Sequence, residues 1–367
     1  MQPPLLSKSS AKQPPKKSEG TGWRVLSIGL FFLFLWLPLV DMFLPLLPKM
    51  EQTEKRALAQ APKLRWNSLK DFPVSYDRFF NDRFGGRTLL IRLNNFIHLK
   101  WFQVSPAKSV LIGKEGWLFY TQDKSIADYR GSVPFWPIHL EKIKQNISRQ
   151  RVWLRDRGIL YVILIGPNKS TIYPEYMPDN INRISLKTRL DQVLEFLSAD
   201  EKAVMVDVRK ALRTAKKEQW VYGKTDTHWN SYGAFIAYRE GIKSLPENFL
   251  PVKPLSFSDF TVSVRPNKGT GDLAGMLSLA GLLEDREVHL ELKGEPSCRP
   301  GKISKAVLFH DSFAEALLPF LEHHFEQIVR QHWGKKGFDY LLIEREKPQV
   351  VLYEIAERHL DALIKYE

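Results

Sequence analysis

The chain has 367 residues, 44% of them hydrophobic, and a formal net charge of +13, enough apolar content for one large domain or two modest ones with a real core. Its single cysteine, Cys298, excludes an intramolecular disulfide framework and a cysteine-based zinc finger. The basic excess is spread along the chain, with no compact basic helix and no RNA-binding aromatic signature, which argues against a nucleic-acid module.

Residues 1–22 are polar and rich in Pro, Lys and Ser, the composition of a disordered tail. Next comes "WRVLSIGLFFLFLWLPLVDMFLPLLP", residues 23–48, whose core from Val25 to Val40 carries no charge. With Asp41 at the interface, that length spans a bilayer and tolerates Pro38 and Pro45. The cationic tail fits a cytoplasmic N-terminus, although Lys49, Lys55, Arg56, Lys63 and Arg65 follow the span closely and weaken the charge rule. A cleaved signal peptide is the alternative, but "ALA" at 57–59 lies far beyond the apolar run. The expectation is an uncleaved anchor, a linker and helical lead-in over 49–105, and a globular domain over 106–367 outside the cytoplasm.

Within the lead-in, "FFNDRFGGR" (79–87) reads as a turn-rich loop and 88–102 as an amphipathic helix. "SVLIGKEGWLFY" (109–120) brackets Gly113 and Gly116 with apolar runs, a hairpin pattern. A helix over 138–157 places Ile143, Ile147 and Trp153–Leu154 on one side. "GILYVILIG" (158–166) is a continuous apolar run of strand length, as in a buried parallel strand. A helix over 186–199 spaces Leu186, Leu190, Val193, Leu194 and Leu197 at the helical period. "AVMVDV" (203–208) is a second buried strand, and 230–242 a helix capped by Asn230. "KAVLFHDSFAEALLPFL" (305–321) reads strand, sharp turn, helix, and 348–364 repeats that pattern. Alternating buried strands and helices predict an α/β layered domain with a mostly parallel sheet, which places ligands at the carboxyl ends of its strands.

Two stretches at such strand ends carry chemistry. Ser312 falls where strand 306–309 gives way to a helix expected from Phe313, so its hydroxyl sits near N–H groups at 312–313 that can hold an oxyanion. A serine and an aspartate there also read as plain helix caps. In "DTHW" (226–229), Asp226 and His228 are one residue apart and can meet side chain to side chain in a bent segment. Alone they read as a structural pair; joined with Ser312 they supply the carboxylate, base and nucleophile that acyl transfer needs. No HExxH or comparable spacing points to a metal, and the adjacent His323 and His324 point to different sides of their helix. Lys169, after the strand at 158–166, reads as a solvated lysine or as a contact for a carboxylate or an oxyanion. Trp117, Trp136 and Trp229 offer faces for sugar stacking, although motifs such as "GWLF" more commonly belong to cores. The basic excess beyond residue 50 reads as an ordinary solvated surface or as favouring a polyanion such as a uronic-acid polymer.

These residues resemble the alginate O-acetylation proteins of the AlgJ/AlgX type, which carry an SGNH-hydrolase-like domain. The resemblance rests on "NDRFGGR" (81–87), "VLIGKEGWLFY" (110–120), "PNKSTIYPEYMP" (167–178), "DTHWNSYGAFIAY" (226–238), "GDLAGML" (271–277), "HDSFAEALLPFLEHHF" (310–325) and "EKPQVVLYEIAERHL" (346–360). It implies a three-layer SGNH-like domain and a triad of Asp226, His228 and Ser312, in an order that matches the family's permuted arrangement. It also implies acetyl transfer to an exported, anionic, alginate-like polysaccharide through an acetyl-serine. No bound cofactor is needed, the acetyl group coming ultimately from acetyl-CoA through a multi-pass membrane O-acyltransferase partner. The location implied is the inner membrane, single-pass, with the catalytic domain in the periplasm. Two departures stand out. His310 occupies the position where the family usually has Gly, and residues 313–367 read as the close of the α/β domain rather than as a carbohydrate-binding module. An esterase using the same triad with water as acceptor, and a non-catalytic polysaccharide-binding scaffold, are the rival readings.

Overall fold

The computed structural model describes residues 20–44, 46–47, 57–66, 69–246, 252–294 and 302–365. Cys298 and most of the polar tail lie outside the described residues. The chain divides into two compact units, Met1–Ile91 and Arg92–Glu367. That division precedes the expected boundary at 105/106, because Arg92 and Asn95 donate side-chain hydrogen bonds to the carbonyls of Ala280 (2.6 Å) and Leu277 (2.8 Å).

In the first unit the apolar stretch forms the helix Gly20–Phe43, of which Gly22–Met42 is long and apolar enough to cross a membrane. Trp23, Phe31 and Phe34 are exposed on it. A helix apolar all round suits a hydrocarbon environment. Its end is built by Asp41, whose carboxylate accepts from the main-chain N–H groups of Leu46 (2.8 Å), Leu47 (2.6 Å) and Gly86 (3.2 Å). Gly85 passes so close that a Cβ would lie 2.4 Å from the Pro38 carbonyl oxygen, which explains a glycine at that point of "NDRFGGR".

The second unit is a three-layer α/β domain. Its sheet is entirely parallel, in the order β4(Met205–Asp207), β3(Leu160–Gly166), β9(Val350–Ala356), β7(Ile303–His310), β8(Phe325–His332). Successive residues of β3 enter opposite cores. Val162 and Leu164 pack on one face with Ala234, Phe235 and Tyr238 of the helix Ser231–Lys243. Tyr161, Ile163 and Ile165 pack on the other with Ile143, Ile147 and Leu154 of the helix Pro137–Arg155. Burial on both faces is why β3 lacks polar alternation, each fully buried aliphatic residue contributing about 1.5–3 kcal/mol. The predicted hairpin forms as β1(Val110–Ile112) and β2(Leu118–Tyr120).

Several local expectations change. The turn-rich loop expected over 79–87 is instead the end of the helix Phe72–Arg83, followed by a short turn into the helix Arg87–Ile97. The helix expected over 186–199 is Arg189–Phe196, because Thr188 makes a capping box with Asp191 and Ser198 starts a separate turn, Ala199–Lys202. Leu186, assigned to its apolar face, is 76% exposed. The helix expected after the serine is a 3-10 turn, Ser312–Ala316, followed by the short helix Leu318–Leu321 with proline in its first turn. His323 and His324 therefore follow a helix rather than riding on one. His324 is buried, its ring hydrogen-bonded to the Tyr238 hydroxyl. The sequence pattern also gave no notice of the antiparallel ribbon β5(Phe260–Asn267) and β6(Asp285–Leu292), where Pro266 and charged side chains break the apolar alternation.

Candidate active site

Residues 221–230 fold back on themselves. Tyr222 bridges Trp229, and the Asn230 N–H donates to the Val221 carbonyl (3.0 Å), while the Asn230 side chain caps the following helix through the Gly233 N–H (2.9 Å). The loop so closed is pinned from several sides. Asp285 accepts from the N–H groups of Lys224 (2.9 Å) and Thr225 (2.8 Å). Asp272 accepts from the Thr227 N–H (2.8 Å) and hydroxyl (2.7 Å). The Thr225 carbonyl takes the N–H groups of Leu273 and Ala274.

Lys169 holds the same loop from within. It is only 4% exposed, and its ammonium donates to the carbonyls of Gly223 (3.1 Å), Lys224 (2.9 Å) and Asp226 (2.6 Å). Burial pulls its pKa down to about 7, against the opposing pull of the Asp226, Asp272 and Asp285 carboxylates. The expectation of a solvated or substrate-facing lysine is therefore corrected: all three donors of the group are spent on main-chain oxygens. Trp229 is 3% exposed and its indole N–H donates to the Phe313 carbonyl (2.9 Å), so it ties the two site segments together instead of offering a sugar platform. Trp117 is buried against Tyr173 and Tyr176, whereas Trp136 is exposed.

The loop aims two side chains at β7. Asp226 Oδ1 accepts both the main-chain N–H of His228 (2.8 Å) and its ring Nδ1–H (2.7 Å). Burial raises the Asp226 pKa, but the ring hydrogen bond and charge of His228, with the N–H groups of His228 and Asp272, bring it down to about 2. An ionised acceptor there assigns the proton to Nδ1 and leaves Nε2 as the acceptor, 2.8 Å from Ser312 Oγ. Asp226 and His228 are partly buried and Ser312 is exposed, so an incoming group can reach the hydroxyl. A cavity of about 230 Å³ adjoins His228, lined also by Asn267, Thr270, Arg286 and His289.

Asp311 shapes the turn that presents the serine. Its carboxylate accepts from the N–H of Phe313 (2.9 Å), the N–H of Ala356 (2.9 Å) and His359 Nδ1 (3.0 Å). Burial alone would raise its pKa, but these donors, His359 foremost, bring it down to about 2. The expected pair of oxyanion donors at 312–313 is thereby corrected: the Phe313 N–H is taken by Asp311, leaving that of Ser312. The five-residue 3-10 turn also adds little of the helix dipole invoked from the sequence. His310 lies in β7, in register with His332 and outside the positive-φ set, so no glycine is required there. Beneath the turn, Glu354 accepts from the Asp311 N–H (3.0 Å), and burial and the Asp311 charge push its pKa well above the usual range.

Asp226, His228 and Asp272 bring donor atoms within 4.8 Å of one another, a set that could hold a metal ion. Hydrogen bonding already accounts for the cluster: Asp272 takes both donors of Thr227, and its own N–H donates to Asp226 Oδ2 (3.2 Å).

An SGNH-like parallel sheet with a carboxylate, an imidazole and a serine hydroxyl linked at its carboxyl rim defines the class. Residues 110–319 match the family described as "SGNH hydrolase-like domain, acetyltransferase AlgX", and the chain belongs to that family. Among curated proteins it is 27% identical over 234 residues to the "Probable alginate O-acetylase AlgJ" of Pseudomonas aeruginosa, covering 62% of this chain and 55% of that one. The counterpart from Pseudomonas fluorescens is 26% identical over 280 residues, covering 68% of each. The chain thus spans only about half the length of the first of these relatives. Among solved structures, Bacillus cereus PatB1 aligns with a TM-score of 0.50 at 15% identity, covering 70% of this chain and 99% of that one, a likeness of fold.

Sequence reasoning missed Asp272, Asp285, Asp311 and His359 as supports of the site. Asp272 lies in "GDLAGML" and Asp311 directly precedes the serine, so motif position was the available signal. Nothing local marks Asp285, which acts from the unforeseen ribbon.

Proposed function

We propose that this protein is an O-acetyltransferase that acetylates hydroxyls of an exported, alginate-like polysaccharide through Asp226, His228 and Ser312. The supporting observation is the unbroken chain from Asp226 Oδ1 through the His228 ring to Ser312 Oγ, at 2.7 and 2.8 Å. In the first half-reaction Ser312 Oγ attacks the acetyl carbonyl carbon of the donor while His228 Nε2 takes the hydroxyl proton. The imidazolium, steadied by Asp226, returns that proton to the donor's leaving group, and an acetyl-serine remains. An acceptor hydroxyl then attacks the ester, gives its proton to His228, and the proton passes to Ser312 Oγ as the product leaves. In this reading the Ser312 N–H holds the oxyanion in both steps, a donor of its kind contributing about 3 kcal/mol.

The names of the curated relatives, alginate O-acetylases, favour transfer over simple hydrolysis and suggest a uronate polymer as acceptor. The helix Gly20–Phe43 supports a single-pass anchor, which in this reading lies in the inner membrane with the catalytic domain in the periplasm. Acetyl-CoA being cytoplasmic, a multi-pass membrane O-acyltransferase would hand the acetyl group across. Ser312→Ala in cells making the polymer tests the reading: polymer acetyl content should disappear while the variant accumulates normally, and retained acetylation would overturn it. Incubating the full chain with an acetyl ester, with and without unacetylated polymer, separates transfer from esterase action by whether the acetyl group appears on the polymer.

A further inference from the structure

Arg358 follows β9 in the 3-10 segment Glu357–Ile364 and is 8% exposed. Its guanidinium lies 5.0 Å from the Phe313 ring centre and 5.4 Å from that of Tyr120. The Phe313 ring also packs 4.9 Å from the His228 ring, so the buried cation and the catalytic base flank one aromatic side chain. Among the described residues no hydrogen bond or ion pair reaches the Arg358 guanidinium, and its Nε is buried without a partner. The nearby acids are otherwise engaged: Glu357 accepts from the Asn168 N–H (2.8 Å) and the Thr171 hydroxyl (2.7 Å), and Glu354 from the Asp311 N–H. Arg358 faces a cavity of about 10 Å³, lined also by Tyr120, Asn168 and Thr227, which is room for about one oxygen atom.

A guanidinium carries five donors, and burying them without acceptors is costly unless an anion arrives. The site also lacks the oxyanion donor that Asp311 takes from Phe313. We propose that Arg358 binds a negatively charged oxygen in the cavity it lines beside the Phe313 ring. Two sources share that chemistry, the tetrahedral oxyanion of acetyl transfer and a carboxylate of the acceptor polymer. The inference rests on the acetyltransferase reading.

The test uses the full chain in detergent, comparing wild type with Arg358→Met and Arg358→Lys. Three activities are read: cleavage of the neutral ester p-nitrophenyl acetate, transfer to a mannuronate oligomer, and transfer to an uncharged hexose oligomer. If Arg358 holds the oxyanion, Arg358→Met lowers kcat about 100-fold with all three, with KM little changed and partial rescue in Arg358→Lys. If it holds the acceptor carboxylate, KM for the mannuronate oligomer rises about tenfold, and the ester and uncharged acceptor behave as in wild type. Wild-type kinetics in Arg358→Met with all three substrates would overturn the proposal, as would failure of both variants to fold. A wild-type chain that turned over nothing would sink the acetyltransferase reading instead. The anion site would then be judged by a phosphate-dependent rise in melting temperature: loss of that rise in Arg358→Met supports it, and no difference between the proteins overturns it.

Discussion

Asp226 uses one carboxylate oxygen for two donors of the same residue, the main-chain N–H and the ring Nδ1–H of His228. That geometry explains why a spacing of two suffices: the main-chain bond bends the segment until the ring comes within reach. Asp226→Asn preserves the shape but presents an amide that can stabilise the wrong imidazole tautomer. Acetyl transfer should fall about 10⁴-fold with an unchanged melting temperature, measured as initial rates beside a thermal scan. Lys169 acts on the same residue from below, through the Asp226 carbonyl. Lys169→Met leaves the Gly223 and Asp226 carbonyls without their donor, while that of Lys224 keeps the Leu118 N–H, and a stability loss of roughly 2–4 kcal/mol should appear in denaturant unfolding. An unaffected midpoint would contradict the role given to that ammonium.

At the scale of elements, the loop carrying Asp226 and His228 and the turn carrying Ser312 are each locked by segments distant in sequence. Gly271 passes so near the loop that a Cβ would lie 2.4 Å from the Thr225 carbonyl oxygen and 2.7 Å from the Asp226 nitrogen. Gly271→Ala must therefore displace main chain next to the Asp226 carboxylate. Activity should fall at least tenfold, beside the 1–3 kcal/mol loss of stability expected from overpacking. Wild-type turnover in this variant would show that the loop tolerates the shift. Both acids that organise the turn and the loop, Asp311 and Asp226, hold their charge down to about pH 2.

For the whole molecule, pH acts through groups of opposite sign. Burial lowers the His324 pKa to about 4 from an ordinary 6.5, with the neighbouring His323 adding to the effect. Between those values the unfolded chain binds more protons, so this residue's contribution to stability declines as pH falls from 6.5 to 4. Glu357 opposes it: burial, then the Asp128 charge, raises its pKa to about 7 from 4.5, so its contribution declines as pH rises through that window. The two are separated by comparing wild type with His324→Gln. The stability advantage of wild type should shrink by up to about 3 kcal/mol between pH 7 and pH 4 in paired urea melts. A constant difference would mean that His324 titrates alike in both states. The apolar helix governs partitioning: the full chain should sediment with membranes, and a variant lacking residues 22–42 should not.

The buried strands at 158–166 and 203–208, the amphipathic helices and the apolar span could be read directly from the chain, because periodicity and continuous hydrophobicity are local properties. Asp226, His228 and Ser312 were legible as chemical types at predicted strand ends. Their meeting depends on the order β4-β3-β9-β7-β8, which brings together residues 84 apart in the chain. Tertiary packing alone turned Lys169 inward, gave the Phe313 N–H to Asp311, supplied Asp272 and Asp285 as outer braces, and left the Arg358 Nε buried without a hydrogen-bond partner. Hydrophobic spacing records which face of an element is buried; it holds no record of which distant donor meets which acceptor once those faces close.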